Sequence, residues 1–422
     1  MIDIKGKNIL VVGAGSTGVS VAEFLLERNA NVILNDKKSI SVNLEHSNLT
    51  LVENAHPEEV FKNADLIILS PGINRKNLPI PEGKKVIGDI ELFYHFNESK
   101  IIAITGTNGK TTTTTLVGMI LNRKYKTFVG GNIGTPCMNF FKRGESFEYS
   151  VLELSSFQLE TIEDFTADVA AILNITPDHL DRYDNFNEYV SAKMRLFENQ
   201  KRGQIFIANK NIEKFIQNRG VIYFDSQKFL KKGNILVEFE NKSVKLRVEK
   251  ILLKGKHFYE DIYVAALIGL ICNIEGDVIE EIIYNFKGLE HRLEFVVERD
   301  GVKYYNDSKS TTVTSTCSAI ESFDEQVILI LGGVQKGESF KKIANYNNVK
   351  KVICFGEAKN KISNELKTIS PILVNTLEDA VNEAKKLSEK SNVILFSPAC
   401  ASFDMFENYK ERGKRFKEIV ND

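Results

Sequence analysis

The chain alternates short, almost unbroken apolar runs with longer stretches in which apolar residues return every three or four positions. The first pattern suits strands buried on both faces and the second suits helices that cover them, so parallel sheets flanked by helices are predicted. Strands are expected at residues 7–12, 32–34 and 66–69, with a helix after the first running to Leu26. A second series starts with the apolar run ending at Ile104 and continues with strands at 150–153 and 169–173 and a helix over 189–199. In that helix Tyr189, Lys193, Leu196 and Phe197 share a face at i, i+4, i+7 and i+8. Lys193 therefore lies on the apolar side, where an ordinary lysine would snorkel. A hairpin of 236–240 and 243–248, joined at Asn241-Lys242, and two helical stretches to about Phe286 close this series. The third opens on a hairpin of 294–298 and 302–305, for which Asp300-Gly301 is a tight-turn signal, and goes on through strands at 327–331, 351–355, 372–374 and 393–396.

Three such series predict an α/β protein of three domains: a Rossmann-like N-terminal domain at 1–97, a central P-loop ATPase-type parallel sheet at 98–290 and a Rossmann-like C-terminal domain at 291–422. The length of 422 residues agrees with three cores. Lys and Arg number 55 against 56 Asp and Glu, a net charge of −1, which supplies no field for gripping a polyanion. Nucleic acid is therefore not an expected partner. The five cysteines, Cys137, Cys272, Cys317, Cys354 and Cys400, are odd in number and lack CxxC spacing. Neither a disulfide framework nor a structural zinc site is indicated, and a reducing cytoplasm fits best. No run of 18 apolar residues and no apolar segment behind a basic start is present, so membrane insertion and secretion are not expected.

Chemistry concentrates where predicted strands end. In the first series Gly13, Gly15 and Gly18 complete G-x-G-x-x-G before a helix, and the second strand ends at Asp36. That fingerprint fits a dinucleotide cofactor, another phosphate-bearing ligand, or merely a tight strand-to-helix turn. Ser70-Pro71-Gly72 forms another turn at a strand's C-terminal end, where open α/β sheets bind ligands. The second series carries IAITGTNGKTTTTT at 102–115. Gly106 and Gly109 let backbone amides face phosphate oxygens, Lys110 would hold the β- and γ-phosphates, and Thr111 would reach Mg²⁺. The general phosphate-loop pattern wants glycine at position 104, and this chain has Ile104. Other strand ends deliver Glu153 and His179 to the same edge, a plausible Mg²⁺ site, although lone acids there are often caps. The third series offers Asp307, Lys309, Lys336 and Ser402 at its own strand ends.

The order of these motifs resembles the Mur ligases of peptidoglycan precursor synthesis, over essentially the whole chain. The resemblance rests on TGTNGKTTT (105–113), GGNIGTP (130–136), ELSSFQLE (153–160), NITPDHLDRY (174–183), YVSAKMRLFEN (189–199), HRLE (291–294), NDSKSTT (306–312), LGGVQKG (331–337) and SPACASFD (397–404). ELSSFQLE and SPACASFD make it closest to the branch that adds D-glutamate to UDP-N-acetylmuramoyl-L-alanine. The phosphate loop is shared with sister ligases and folylpolyglutamate synthases, and its missing glycine is a family trait.

The resemblance implies an ATP-dependent, ADP-forming amide ligase. ATP would phosphorylate the substrate's terminal carboxylate, and the amine of D-glutamate would attack the acyl phosphate. It implies ATP contacts at Gly106, Thr107, Asn108, Gly109, Lys110, Thr111, Thr112, Arg292 and Asp307. Two Mg²⁺ ions are implied, held by Thr111, Glu153, His179 and Lys193, the last as a carbamate. Lys110, His179, Lys193 and Lys309 would serve the chemistry. The first domain would then bind the uridine nucleotide rather than NAD, through Ser16, Thr17, Gly18, Asp36 and Gly72, with Asn132 touching the sugar portion. Thr311, Lys336, Ser402, Phe403 and Tyr409 match positions that hold D-glutamate. A monomer in the cytoplasm is expected. Some positions depart from the family pattern: Phe258 and Asp261 replace asparagines near adenine, where Phe258 would stack instead, Thr312 stands where asparagine is common, and Lys37-Lys38 follow Asp36 where an arginine is often found. A sister ligase adding another amino acid is the alternative, and an NAD-dependent oxidoreductase or a noncatalytic nucleotide-binding module is a more distant one. The dehydrogenase leaves Lys110, Glu153, His179 and the third series unexplained together.

Overall fold

A computed structural model describes residues 2–179, 182–217, 220–253 and 255–422, so Leu180 and Asp181 of the NITPDHLDRY segment lie outside the described residues. The chain forms two compact units, one of Met1–Lys245 with Glu260–Ile282, the other of Leu246–Tyr259 with Ile283–Asp422.

The first unit holds two parallel sheets. One has the strand order Leu49–Val52, Asn31–Asn35, Asn8–Val12, Leu66–Leu69, Val86–Gly88. Its centre, Ile9 to Val12, is fully buried, as expected for a strand covered on both faces. Helix Ser16–Leu26 packs back on it through Val21, Phe24 and Leu25. The turn into that helix needs its third glycine for space: a Cβ at Gly18 would come 1.7 Å from the Gly13 carbonyl oxygen.

The second sheet has the order Val221–Phe224, Ile205–Asn209, Val169–Ile172, Lys100–Thr105, Tyr149–Glu153, Thr127–Gly131, also all parallel. Lys100–Thr105 lies inside it, flanked by the strands that end at Ile172 and Glu153. All three C-terminal ends therefore open on one edge. Helix Lys110–Leu121 leaves from that edge. The helix predicted over 189–199 starts earlier, at Phe186, because the Asn185 side chain caps it by accepting the Glu188 amide. It is α-helical to Met194 and tightens into a 3₁₀ turn at Arg195–Phe197.

In the second unit a mixed sheet has the order Glu294–Arg299, Val302–Asn306, Val393–Phe396, Val327–Gly332, Val349–Phe355, Ile372–Leu373. Only the opening hairpin is antiparallel, and its turn places Asp300 and Gly301 at positive φ, as the Asp-Gly signal predicts. The remaining pairs are parallel. Thus the three expected strand series are present as three large sheets. Phe258 packs, partly buried, against one of this unit's core clusters. Among the described residues no helix is long and apolar enough to cross a membrane. All five cysteines are buried and free.

Candidate active site

The phosphate loop begins later than the general pattern because Ile104 still belongs to the strand, fully buried and in register with Glu153. A glycine there would serve no turn. The chain leaves the sheet only at Gly106, and Gly109, at φ +83, is the N-cap of helix Lys110–Leu121. Any side chain at 109 would strike the Asp261 carboxylate, since a Cβ would lie 2.0 Å from Oδ1. The segment after strand Val169–Ile172 pins the loop from the other side. The Thr107 amide donates to the Asn174 carbonyl at 2.9 Å, and the Asn108 amide to Asn174 Oδ1 at 2.9 Å. The Thr107 hydroxyl donates to the Thr176 carbonyl at 3.1 Å.

Two lysines converge on this loop. Lys110 Nζ donates to the carbonyls of Gly106 (3.1 Å) and Thr107 (2.9 Å), and Lys193 Nζ donates to the same Gly106 carbonyl at 2.8 Å. Lys193 is 2% exposed. Burial, with the Lys110 charge second, pulls its pKa down to about 7. The snorkelling stem expected of an ordinary helix lysine is thus replaced by an interior amine.

Glu153 ends its strand inside the same edge, buried. Its Oε2 accepts the Thr111 hydroxyl and its Oε1 the Asn132 side-chain amide, both at 2.8 Å. Each oxygen accepts one hydrogen bond and keeps a lone pair that could face a divalent cation, and oxygen donors are what Mg²⁺ prefers. His179 sits on the following turn at φ +53, its ring 4.9 Å from that of Phe157 and 6.1 Å from that of Tyr189. The group of carboxylates and imidazole that would most readily enclose an ion among the described residues lies elsewhere, at Glu91, His95 and Asp164. There Glu91 already accepts the amides of Glu163, Asp164 and Phe165, so it anchors a loop.

The first sheet brings the glycine turn and the Ser70 turn together, with the Ser70 hydroxyl donating to the Gly13 carbonyl at 3.2 Å. Ser16, Thr17 and Gly18 form the first turn of the adjoining helix. Asp36 Oδ2 accepts the Ala14 amide at 2.8 Å and Oδ1 the Lys38 amide at 3.0 Å. Burial pushes the Asp36 pKa upward, but those amides prevail and the net shift is downward. Asp36 thereby braces the glycine turn itself.

In the second unit Asp307 is buried, its Oδ1 accepting the Leu293 amide (3.1 Å) and its Oδ2 the Ser397 hydroxyl (2.7 Å). Burial raises its pKa to about 6. Lys309 Nζ lies 5.5 Å from the centroid of the Tyr409 ring, and Lys336 Nζ donates to the Thr311 hydroxyl at 3.0 Å. Ser402 is buried, Arg292 exposed, and Phe403 is 74% exposed. The segments carrying Lys336 and Ser402 are joined by reciprocal backbone bonds between Val334 and Ala401. The residue that ties all of them was not read from the sequence. Arg412 is completely buried and donates to the Ser308 hydroxyl and to the carbonyls of Ser308, Gly332, Cys400 and Ala401. Its one sequence signal is an arginine inside an otherwise amphipathic C-terminal helix.

These loops, with their shortened phosphate cradle and buried lysine, match three family descriptions in succession. They are the Mur ligase MurD-like N-terminal domain over 7–87, the Mur ligase middle domain over 104–269 and the Mur ligase glutamate ligase domain over 291–400. The chain belongs to the Mur ligases. It is 41% identical to the UDP-N-acetylmuramoylalanine–D-glutamate ligase of Koribacter versatilis, covering 99% of this chain and 98% of that one. To the enzyme of the same name from Caldicellulosiruptor bescii it is also 41% identical, over 100% and 99%. Among solved structures, the MurF ligase of Thermotoga maritima in complex with ADP superposes with a TM-score of 0.57 at 17% identity, covering 99% of this chain and 96% of that one. The UDP-N-acetylmuramate–alanine ligase of the same organism gives 0.56 at 18%, covering 98% and 99%. Both likenesses speak to the fold.

Proposed function

We infer that this chain is an ATP-dependent ligase that joins D-glutamate to UDP-N-acetylmuramoyl-L-alanine in peptidoglycan precursor synthesis, releasing ADP and phosphate. The observation that carries the reaction class is the convergence of Lys110, Lys193, Thr111 and Glu153 on one phosphate loop. The identity of the added acid is supported by the names of relatives aligned end to end with this chain. A carboxylate must approach the anionic γ-phosphate, and magnesium, when bound, screens that repulsion. Lys110 is proposed to turn from the loop carbonyls to the β- and γ-phosphates, and Thr111 and Glu153 to hold the ion. The phosphoryl group passes to the substrate carboxylate, and the amine of D-glutamate then displaces phosphate from the acyl phosphate, losing a proton as the amide forms.

Lys193 is proposed to react with carbon dioxide: its neutral amine adds to the carbon, a proton leaves, and a carbamate anion remains. Burial beside Lys110 favours the neutral amine that this requires. The anion would turn a like-charged neighbour of Lys110 into an acceptor that can orient a metal ion. His179 is proposed as a further metal contact. The uridine nucleotide is proposed at Ser16, Thr17, Gly18, Asp36, Gly72 and Asn132, and D-glutamate at Thr311, Lys336, Ser402, Phe403 and Tyr409, with Lys309 adding positive charge and Arg292 and Asp307 serving ATP. Buried free thiols suit action in the reducing cytoplasm.

Phosphate release measured with ATP, Mg²⁺, UDP-N-acetylmuramoyl-L-alanine and D-glutamate tests this reading. Release should need all four. Turnover with L-lysine or diaminopimelate but not with D-glutamate would assign the chain to a sister ligase.

A further inference from the structure

Within the first unit, the turn after strand Leu66–Leu69 and the turn that presents His179 belong to different sheets, and one side chain reaches both. Arg182 Nη1 donates to the Pro71 carbonyl at 3.1 Å and Nη2 to the Ile73 carbonyl at 3.4 Å. Nη2 also donates to Glu160 Oε2 at 3.0 Å, and the guanidinium carbon lies 4.0 Å from the centroid of the Phe157 ring. Glu160 is shared: its Oε1 accepts the Tyr183 hydroxyl at 2.5 Å. Arg182 and Tyr183 in turn close the loop below His179, their amides donating to its carbonyl at 3.0 and 3.1 Å. The Arg182 side chain is 14% exposed and forms one wall of a groove of about 1070 Å³. A second, exposed link runs parallel to it, Lys76 Nζ to Asp184 Oδ2 at 3.1 Å.

This arrangement uses what only arginine supplies, a flat fork that donates in several fixed directions while its face lies on an aromatic ring. Stacking on Phe157 and pairing with Glu160 fix the plane, and the fixed plane aims two N–H groups at the 71–73 backbone. Phe157 and Glu160 belong to ELSSFQLE, the segment that also supplies Glu153. The Ser70 turn, the His179 turn and the Glu153 segment thus share one rigid reference.

The geometry points to Arg182 as a positioning residue that holds the turn for the uridine nucleotide in register with the turn that presents His179. The inference rests on the proposed placement of that nucleotide at Gly72 and of a metal contact at His179. The side-chain partners of Arg182 are all protein groups, the Pro71 and Ile73 carbonyls, Glu160 and the Phe157 ring. Arg182 acts by fixing two backbone turns whose relative shift by about an ångström would cost the near-attack geometry.

The test uses the full-length enzyme. Arg182→Lys and Arg182→Met should raise KM for UDP-N-acetylmuramoyl-L-alanine about tenfold or more and raise the Mg²⁺ concentration needed for half-maximal rate, while KM for ATP and for D-glutamate stays within about twofold. Arg182→Lys should not rescue, because charge without the fork is insufficient. Glu160→Gln should move the same two quantities in the same direction by less, and adding it to Arg182→Met should cost no further factor, since both act through one clamp. Unchanged kinetics would overturn the inference. So would a loss spread evenly over all three KM values that tracks a fall in melting temperature, which would mark Arg182 as support for the fold alone. Absence of wild-type turnover with these substrates would overturn the ligase reading and this inference with it, whereas wild-type turnover with indifferent Arg182 variants overturns the inference alone.

Discussion

The Thr111 hydroxyl donates to Glu153 Oε2 at 2.8 Å, so the first turn of the phosphate-loop helix is latched to the end of the neighbouring strand. The latch holds the two groups proposed for the ion at a fixed separation. The cost of ordering them is then met during folding and not at each turnover.

Replacing Glu153 by Gln keeps the shape and one acceptor oxygen but removes the charge. The rate at saturating ATP should fall about 10²–10³-fold, and the Mg²⁺ requirement should move to higher concentration. Thermal melting should change modestly, because the amide oxygen keeps the bond from Thr111 and the Asn132 side-chain amide can turn its oxygen to accept from the new NH₂. Steady-state phosphate release across a Mg²⁺ series reads both effects, and an unchanged Mg²⁺ dependence would remove Glu153 from the metal site.

Lys193→Ala should be severely impaired and should partly recover when short carboxylic acids are added, since a free carboxylate can occupy the space of the lost carbamate. The wild-type enzyme should also lose activity as dissolved carbon dioxide is stripped, most steeply below pH 7. There the amine, whose pKa lies near 7, takes up a proton and no longer reacts. Full activity of the Ala variant without added acid would refute the carbamate.

Asp261 makes a prediction about stability with a definite sign. It is buried beside Gly109, and burial, reinforced by the Glu260 carboxylate, raises its pKa from 3.8 to about 8. At pH 7 the folded protein therefore carries it as a neutral acid, close in shape to an asparagine side chain. Between pH 4 and pH 8 the unfolded chain ionises this group while the folded one keeps its proton, so its contribution to stability declines as pH rises. Asp261→Asn should remove that decline. Its melting temperature should match the wild type near pH 4 and exceed it at pH 7.5 by the equivalent of up to about 5 kcal/mol, the bound set by the pKa shift. Equal melting at both pH values would mean that Asp261 is ionised in the folded protein.

Much of this was legible in the sequence wherever a strand is buried on both faces. Residues 66–69 and 393–396 read as strands and end where expected, because every position in them is buried. Leu49–Val52 escaped notice for the opposite reason: it is an edge strand with no fully buried residue, so no apolar run marks it. Val86–Gly88 is too short to form a pattern. At the site, Lys110 and Thr111 were legible because a phosphate loop is local. From its spacing Lys193 was legible as a lysine on the wrong face of a helix, and Asp36 as an acid at a strand end, whereas its bonds to the Ala14 and Lys38 amides were not. Arg182 carried no signal and Arg412 only that of a charge inside an amphipathic helix, since partners that define them include carbonyls 80 to more than 100 residues away.

Arg412 shows what such a residue contributes. Its guanidinium binds the carbonyls of Ser308, Gly332, Cys400 and Ala401 inside the second unit, and burial lowers its pKa to about 10, so it stays charged at neutral pH. No carboxylate is among those hydrogen-bond acceptors; the charge is solvated by peptide dipoles and one hydroxyl, a set that only a five-donor fork can satisfy. Arg412→Lys leaves several buried acceptors unmet, and Arg412→Met leaves all of them, so destabilisation of about 2 kcal/mol or more is expected for the first and more for the second. The segments it ties carry Lys309, Lys336 and Ser402, so the lysine variant, at a temperature where it is still folded, should show a raised KM for D-glutamate. Binding of the uridine nucleotide, proposed in the other unit, should be unaffected. Denaturant unfolding combined with calorimetric titration of the nucleotide separates these effects, and a nucleotide affinity that falls in step with stability would show that Arg412 supports the whole chain and not the glutamate segments in particular.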